Sequence, residues 1–403
     1  MERVLIALAL LTLPALLLAP TLAEALPIDA TIDLRAVAAD GDASYLDGGL
    51  GELRYDDQHD GLRVGSLRVG YRDDFFQIVH VDVQAFSYAD HDRNLIDLTE
   101  AYTEIRPFPV NAWRSSIKVG AFYAPISLEN RLEGWRSPYS ISPSAINSWI
   151  GDELRTIGVE YDLDWLGRQT GHDWQFGLTG SVFGFNETAG ALIATRGWAV
   201  EDRQTTLFGR IGEPGVGPVH GLREFYGDID HRVGGYVGAS ADYRDALEFR
   251  ALHYDNRANP NAYSEGLDDY AWHTEFDSAG LRWTPSDRWT LISQWLAGTT
   301  CVSTPFCWEY HSAFLLGSWQ HGPDRLSARY DGFEMHQTAG TAFFNNNDRG
   351  HAWTVAYQRQ LNASWSVVLE ALQVDSSLLE RVSIGEPIAA VERELQLAVR
   401  LDL

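Results

Sequence analysis

Lysine is nearly missing from this chain: Lys118 is its only one, and 31 basic side chains face 56 acidic ones, for a formal charge of −25 over 403 residues. Little here could neutralise a phosphate backbone, so nucleic acid is excluded as a partner. Methionine is scarce too, at two residues, against 36 Gly, 14 Trp, 17 Tyr and 17 Phe. That is poor in helix-core fillers and rich in strand formers and interfacial aromatics. Beyond the first residues no stretch approaches the roughly 18 to 20 consecutive apolar residues a spanning helix needs, which excludes a helical membrane protein. Catalytic signatures are missing as well. With 12 His available, there is no Gly-x-Ser-x-Gly and no His-Glu-x-x-His, so neither an enzyme nor a cofactor is expected. A triad assembled from distant strands would leave no such trace. An enzyme of lipase or protease type therefore remains an alternative, beside an adhesin or scaffold that could use a loop such as Gly340 to Asn347 for recognition.

Cysteine is limited to Cys301 and Cys307 in one short segment. In an exported chain this spacing predicts a small loop-closing disulfide. Only His311 lies nearby, so no metal site is expected there. Export is read from the N-terminus: Arg3, an apolar run from Val4 to Leu22 broken by Pro14 and Pro20, then Ala23-Glu24-Ala25. These read as the n-region, h-region and small-x-small cleavage site of a signal peptide over residues 1–25, with a membrane anchor as the alternative, and residues 26–403 are then expected to form a single domain, an outer-membrane barrel. Asn186-Glu187-Thr188 matches a glycosylation acceptor, but a bacterial outer membrane makes the match a coincidence.

What is abundant is alternation over about ten residues, the length of a tilted membrane-crossing strand. From Thr156 to Trp165, Ile157, Val159, Tyr161, Leu163 and Trp165 share one face, and Thr156, Gly158, Glu160, Asp162 and Asp164 the other. One face suits lipid and the other water. The pattern predicts strands over 28–38, 62–72, 75–88, 97–107, 113–123, 154–165, 172–185, 203–212, 218–228, 233–243, 246–256, 273–284, 288–298, 311–320, 324–334, 351–361, 364–374 and 392–403. The gaps alternate short and long, as periplasmic turns and extracellular loops do. The fold class expected is an all-β, antiparallel transmembrane barrel of 16 to 18 strands; the Gly- and Pro-rich run from Gly212 to Pro218 leaves the number open. Trp165, Trp174, Trp283, Trp289 and Trp365 sit beside the short turns, where an interfacial girdle belongs.

Ile117-Lys118-Val119-Gly120-Ala121-Phe122-Tyr123-Ala124-Pro125-Ile126-Ser127-Leu128-Glu129, followed by Arg155-Thr156-Ile157-Gly158-Val159, resembles the phosphate-selective porin O and P family, in which such a strand leads into a long loop. The hairpins around Tyr357 to Leu361, Trp365 and Glu370 are similar to that family too. The resemblance implies a trimeric outer-membrane channel with basic residues along an anion path. An acidic chain with one lysine departs from that pattern, and phosphate is not carried over. The last strand, with Leu395, Leu397, Val399, Leu401 and Leu403 on one face, looks like the terminal assembly signal of outer-membrane barrels, although most end in an aromatic residue. The expected partners are outer-membrane lipid and lipopolysaccharide, the barrel-assembly machinery, small hydrophilic solutes or ions, and further copies in a homotrimer.

Two sets of residues are candidates for the channel's work. The connection from Pro125 to Glu153, carrying Glu129, Arg131, Glu133 and Arg136, is expected to fold into the lumen as a constriction; capping the outside is the alternative. Strand parity points Lys118, Arg210, Arg250, Arg282, Arg329 and Arg400 inward with Glu100, Glu104, Glu160, Glu248 and Glu370, because a charge facing lipid costs about 2 to 4 kcal/mol at the midplane. The arginines would form a basic belt near the periplasmic end. Equally, they would stiffen the wall by pairing across strands.

Overall fold

The structure is a computed structural model that describes residues 27–89, 95–212, 222–224, 226–339 and 346–403. The expected leader lies outside these residues, as do 213–221 and 340–345 of the two loops singled out above.

Period-two segments pair with their sequence neighbours until the sheet closes on itself. The wall runs through β1 (Ile28–Asp40), β2 (Gly61–Phe75), β3 (Val79–Ser87), β4 (Asp97–Ile105), β5 (Trp113–Phe122), β6 (Thr156–Trp165) and β7 (Trp174–Gly184). It skips the short hairpin β8 (Arg210–Gly212) and β9 (Leu222–Glu224), and continues with β10 (Gly234–Tyr243) and β11 (Leu247–Asp255). A second small hairpin, β12 (Tyr263–Ser264) and β13 (Asp269–Tyr270), stands apart. The wall then takes β14 (His273–Ser286), β15 (Trp289–Val302), β16 (Phe306–His321), β17 (Asp324–Ala339), β18 (Asp348–Gln360), β19 (Trp365–Leu378) and β20 (Ala389–Asp402). β20 pairs antiparallel with β1 and completes a closed barrel of sixteen strands.

Two of the eighteen expected strands are therefore not wall. Among the described residues of 203–212 and 218–228 only β8 and β9 form, they pair with each other, and β7 bonds directly to β10. Proline removes a ladder donor and glycine weakens a strand interior, and the chain just before this run is drawn into the lumen. Elsewhere the expected strands lie where alternation put them. β15 and β16 run further than expected, up to the disulfide joining Cys301 to Cys307, which face each other in register.

The alternation sorts two surfaces. On β16, Tyr310, Ser312, Phe314 and Leu316 are buried inward while Glu309, His311 and Leu315 face out. Outside, large apolar side chains stay open around the whole wall: Leu178 is 61% exposed, Val237 62%, Leu315 60% and Trp353 53%. A contiguous apolar band of this extent is foreign to a water-facing surface. Trp174, Trp283 and Trp289 edge the band at the end of the short turns. The opposite end carries the long connections, and among the described residues those at 41–60, 123–155 and 185–208 turn inward.

Candidate functional site: the loop-narrowed lumen

The connection 123–155 enters the barrel because its polar groups find partners on the far wall. Ser144 caps the helix Ala145–Glu153, its side chain accepting from Asn147 N, and all nine helical residues are buried. Glu129 accepts from Ser144 N and Asn147 Nδ2, each at 2.9 Å, and its other oxygen pairs with Arg329 Nη1 of β17 at 2.8 Å. Arg329 also pairs with Asp331 at 2.7 Å and donates to the carbonyls of Ser142 and Pro143 at 2.7 and 2.8 Å. Glu370 of β19 accepts from Ile141 N at 2.6 Å and Ser142 N at 3.0 Å. β17 and β19 lie across the barrel from β5 and β6, so the loop spans the lumen.

A second loop, running from Phe185 to Phe208, locks over the first. Asn186, the residue of the glycosylation-like triplet, is buried and donates to Glu153 O at 2.9 Å, which leaves no acceptor for a sugar. Gly190 has φ +101°, and a Cβ there would meet the hydroxyls of Thr274 and Thr300, so only glycine lets the loop lie against β14 and β15. Trp198 N donates to Asp348 at 2.8 Å, Thr205 N to Gly151 O at 3.2 Å, and Leu207 N to Leu98 O at 2.7 Å. Asp202 binds Arg35 of β1 and Arg54 of the β1–β2 connection (residues 41–60), each with a 3.0 Å contact. Burial pushes the Asp202 carboxyl up, and the two guanidiniums more than reverse this, holding it below the usual carboxylate range. The β1–β2 connection is tied in turn by Arg381, which meets Asp42 at 2.8 Å and Glu392 at 3.0 Å. Between these loops lies an apolar cluster. The Trp149 ring stands edge-on to Tyr310 at 5.2 Å, Phe276 at 5.5 Å and Trp198 at 6.1 Å. Burial pushes the nearby Glu153 carboxyl up to about 7, although Leu192 N and Ile193 N donate to it.

No family model and no curated protein matches this sequence. Solved structures match it in fold. Salmonella typhi OmpF, solved in complex with daunomycin, aligns over 94% of this chain and 97% of its own, with a TM-score of 0.54 and 10% identity. The outer membrane channel DcaP of Acinetobacter baumannii covers 93% and 96%, with 0.52 and 11%. The anion-selective porin from Comamonas acidovorans covers 93% and 98%, with 0.50 and 11%. This is a porin fold.

Within the porin fold, the candidate residues separate into groups. Arg131, Glu133 and Arg136 line two cavities that flank the loop tip, of about 830 and 580 Å³. Glu129 is instead fully buried as the loop's anchor. Lys118 faces inward and pairs with Glu160 at 2.6 Å. Glu248 gathers Arg131, Arg250 at 2.8 Å and Arg282 at 3.8 Å. Arg400 pairs with Asp33 at 2.9 Å. Arg329 and Glu370 hold the loop. Arg210 lies in β8, outside the wall, and so is no member of a belt. The remaining cations are thus inward but engaged, while Arg136 and Arg325 have no carboxylate partner among the described residues. Both border the larger cavity with Arg68, Arg72 and Arg400. Burial and the neighbouring Arg400 and Arg68 push the Arg136 guanidinium down to about 10.

Sequence reasoning missed the second loop altogether, and with it Asp202, Trp198, Arg35 and Arg54. One signal was present: Phe314-Leu315-Leu316 and Phe333 with Met335 are apolar on the inward parity too. A strand apolar on both faces is covered on both faces.

Proposed function

We propose that this chain is a diffusion channel of the bacterial outer membrane, passing small hydrophilic solutes or ions along a narrow charged route beneath its inward loops. The observation that carries this is the pair of polar cavities around the loop tip, enclosed by a wall whose outside is an apolar band. Water and charge inside, with lipid outside, is the arrangement of a channel barrel. The band suits lipid and lipopolysaccharide, an all-β wall suits insertion by the barrel-assembly machinery, and a homotrimer suits a porin fold. No enzyme activity is proposed. Phosphate as a specific substrate has no support from a lumen whose single lysine is paired.

The packed apolar cluster favours a second reading, a closed scaffold barrel. Planar-bilayer recording on the refolded chain separates the two. The channel reading expects discrete conductance steps, small for sixteen strands because three loops fill the upper lumen. Absence of conductance, both in the native chain and after Trp198→Ala has loosened the cluster, would leave the scaffold reading standing.

A further inference from the structure

On the outer wall the strands β14 to β20 run 13 to 16 residues, several more than a crossing needs. In the overrun beyond the apolar band, outward positions change from Leu281 and Trp283 to Asp277, Glu275 and His273. The neighbouring strand β11 does the same at its extracellular end. Asp255 stands directly opposite Glu275, and His253 opposite Asp277. All point outward, because Tyr254, Thr274 and Phe276 between them are buried inward. His273 Nε2 lies 3.1 Å from Asp255 Oδ1, and the ligand atoms of Asp255, His273 and Glu275 all lie within 4.8 Å of one another. The Glu275 carboxylate has no hydrogen-bond or ion-pair partner among the described residues, while its backbone carbonyl accepts from Tyr310 Oη at 3.4 Å.

Two carboxylates facing each other across a ladder repel, and a cation bound between them relieves that repulsion. We propose that Asp255, His273 and Glu275 bind a divalent transition-metal ion of the Zn²⁺ class on the outer rim of the barrel. An imidazole among the ligands favours Zn²⁺, Ni²⁺ or Cu²⁺ over Mg²⁺ and Ca²⁺, which take oxygen alone. Bonds of about 2.0 to 2.2 Å put tetrahedral ligands roughly 3.3 to 3.6 Å apart. The His273 to Asp255 separation is already of that order, and rotation of the exposed Glu275 side chain closes the rest. Three protein ligands leave the fourth position to water. The backbones need not move: β11, β14 and β15 are one continuous ladder, and His273 is in register with Cys301, which the disulfide ties to Cys307. These three ligands come from two strands separated by a loop, so no short motif marks them.

Titration calorimetry of Zn²⁺ into the full refolded chain in detergent tests this. One site of micromolar or tighter affinity is expected. His273→Ala and Glu275→Gln should each weaken it about tenfold or more, with β-sheet circular dichroism unchanged, because these side chains are outside the core. His351→Ala, whose ring meets a single carboxylate, Asp375, at 3.7 Å, should leave it intact. Cu²⁺ should show nitrogen hyperfine coupling in its electron paramagnetic resonance spectrum, lost in His273→Ala. Equal Zn²⁺ affinity in the native chain and His273→Ala, or displacement of Zn²⁺ by an equal concentration of Ca²⁺, would overturn the assignment.

Discussion

On β17 the inward face carries Ser327, Arg329 and Asp331 toward the short turns, and Phe333 and Met335 toward the loops. β16 changes in the same way, from Ser318 to Phe314 and Tyr310. Lower down the lumen is charged, with Arg68, Arg72, Arg136, Arg325 and Arg400 around a cavity of about 830 Å³. Higher up it is packed around Trp149 and Trp198 like the core of a water-soluble domain. The difference teaches that one barrel has two interiors: the lower is built to be wet, and the upper is closed by contacts that individual side chains hold. If so, the two halves should respond to mutation in different observables, opening for the upper and selectivity for the lower.

The largest effect is expected at Trp198. Truncating a buried tryptophan costs about 3 to 5 kcal/mol. Here the loss falls on the seam between two loops rather than on the ladder of the wall. Trp198→Ala should raise single-channel conductance several-fold and expose Arg196 and Arg203 to trypsin, with the barrel's β-sheet signal unchanged. Unchanged conductance and unchanged cleavage together would mean that the upper half is no gate.

Next comes Asp202, which ties the second loop to both Arg35 and Arg54. Hydrogen bonds to charged groups contribute about 1.5 to 3 kcal/mol, so Asp202→Asn should make openings more frequent without shifting ion preference. The sign in pH follows from the direction of its shift. A carboxyl held low contributes stability above the ordinary carboxylate range and loses it only as pH falls through its lowered value. Between pH 5 and 8 this latch should therefore be indifferent to pH, which distinguishes it from Glu153.

How far these features were legible beforehand depends on which contacts make them. The wall was legible because each strand pairs with the next one along, so period and turn spacing are enough; Thr156–Trp165 was read within two residues of its ends. Arg131, Glu133 and Arg136 were legible because a long loop after an early strand has the lumen to enter. Asp202 and Trp198 were not, since their partners lie about 150 residues away in sequence or more, at Arg35, Arg54 and Asp348. The belt was half read: parity gave direction, but parity says nothing about whether Glu248 or Asp33 will stand opposite an arginine.

A smaller effect is expected from Glu153, whose carboxyl burial raises to about 7. A raised carboxyl contributes stability that is full below its ordinary value near 4.5 and is lost as pH rises through about 7. The seam between the helix Ala145–Glu153 and Leu192 should loosen over that window. Open probability should rise from pH 5 to pH 8 in the native chain and stay flat in Glu153→Gln, which keeps the acceptor and cannot ionise.

The smallest effect should come from the lower half. Arg136 remains a cation at neutral pH even with its guanidinium brought down to about 10, and no described carboxylate pairs with it. Five arginines border its cavity beside Asp29, Glu133 and Asp402, so removing one charge tilts the balance without emptying it. A charge of this kind is worth on the order of 0.5 kcal/mol, about a twofold change in permeability ratio. Arg136→Gln should move the reversal potential toward cations by that amount and leave open probability alone. The shift should be largest in dilute salt, because the screening length falls from about 30 Å at 0.01 M to about 3 Å at 1 M. A shift that persists undiminished at 1 M would mean that the arginine shapes the passage rather than its field, and a change in opening would join the two halves that the comparison holds apart.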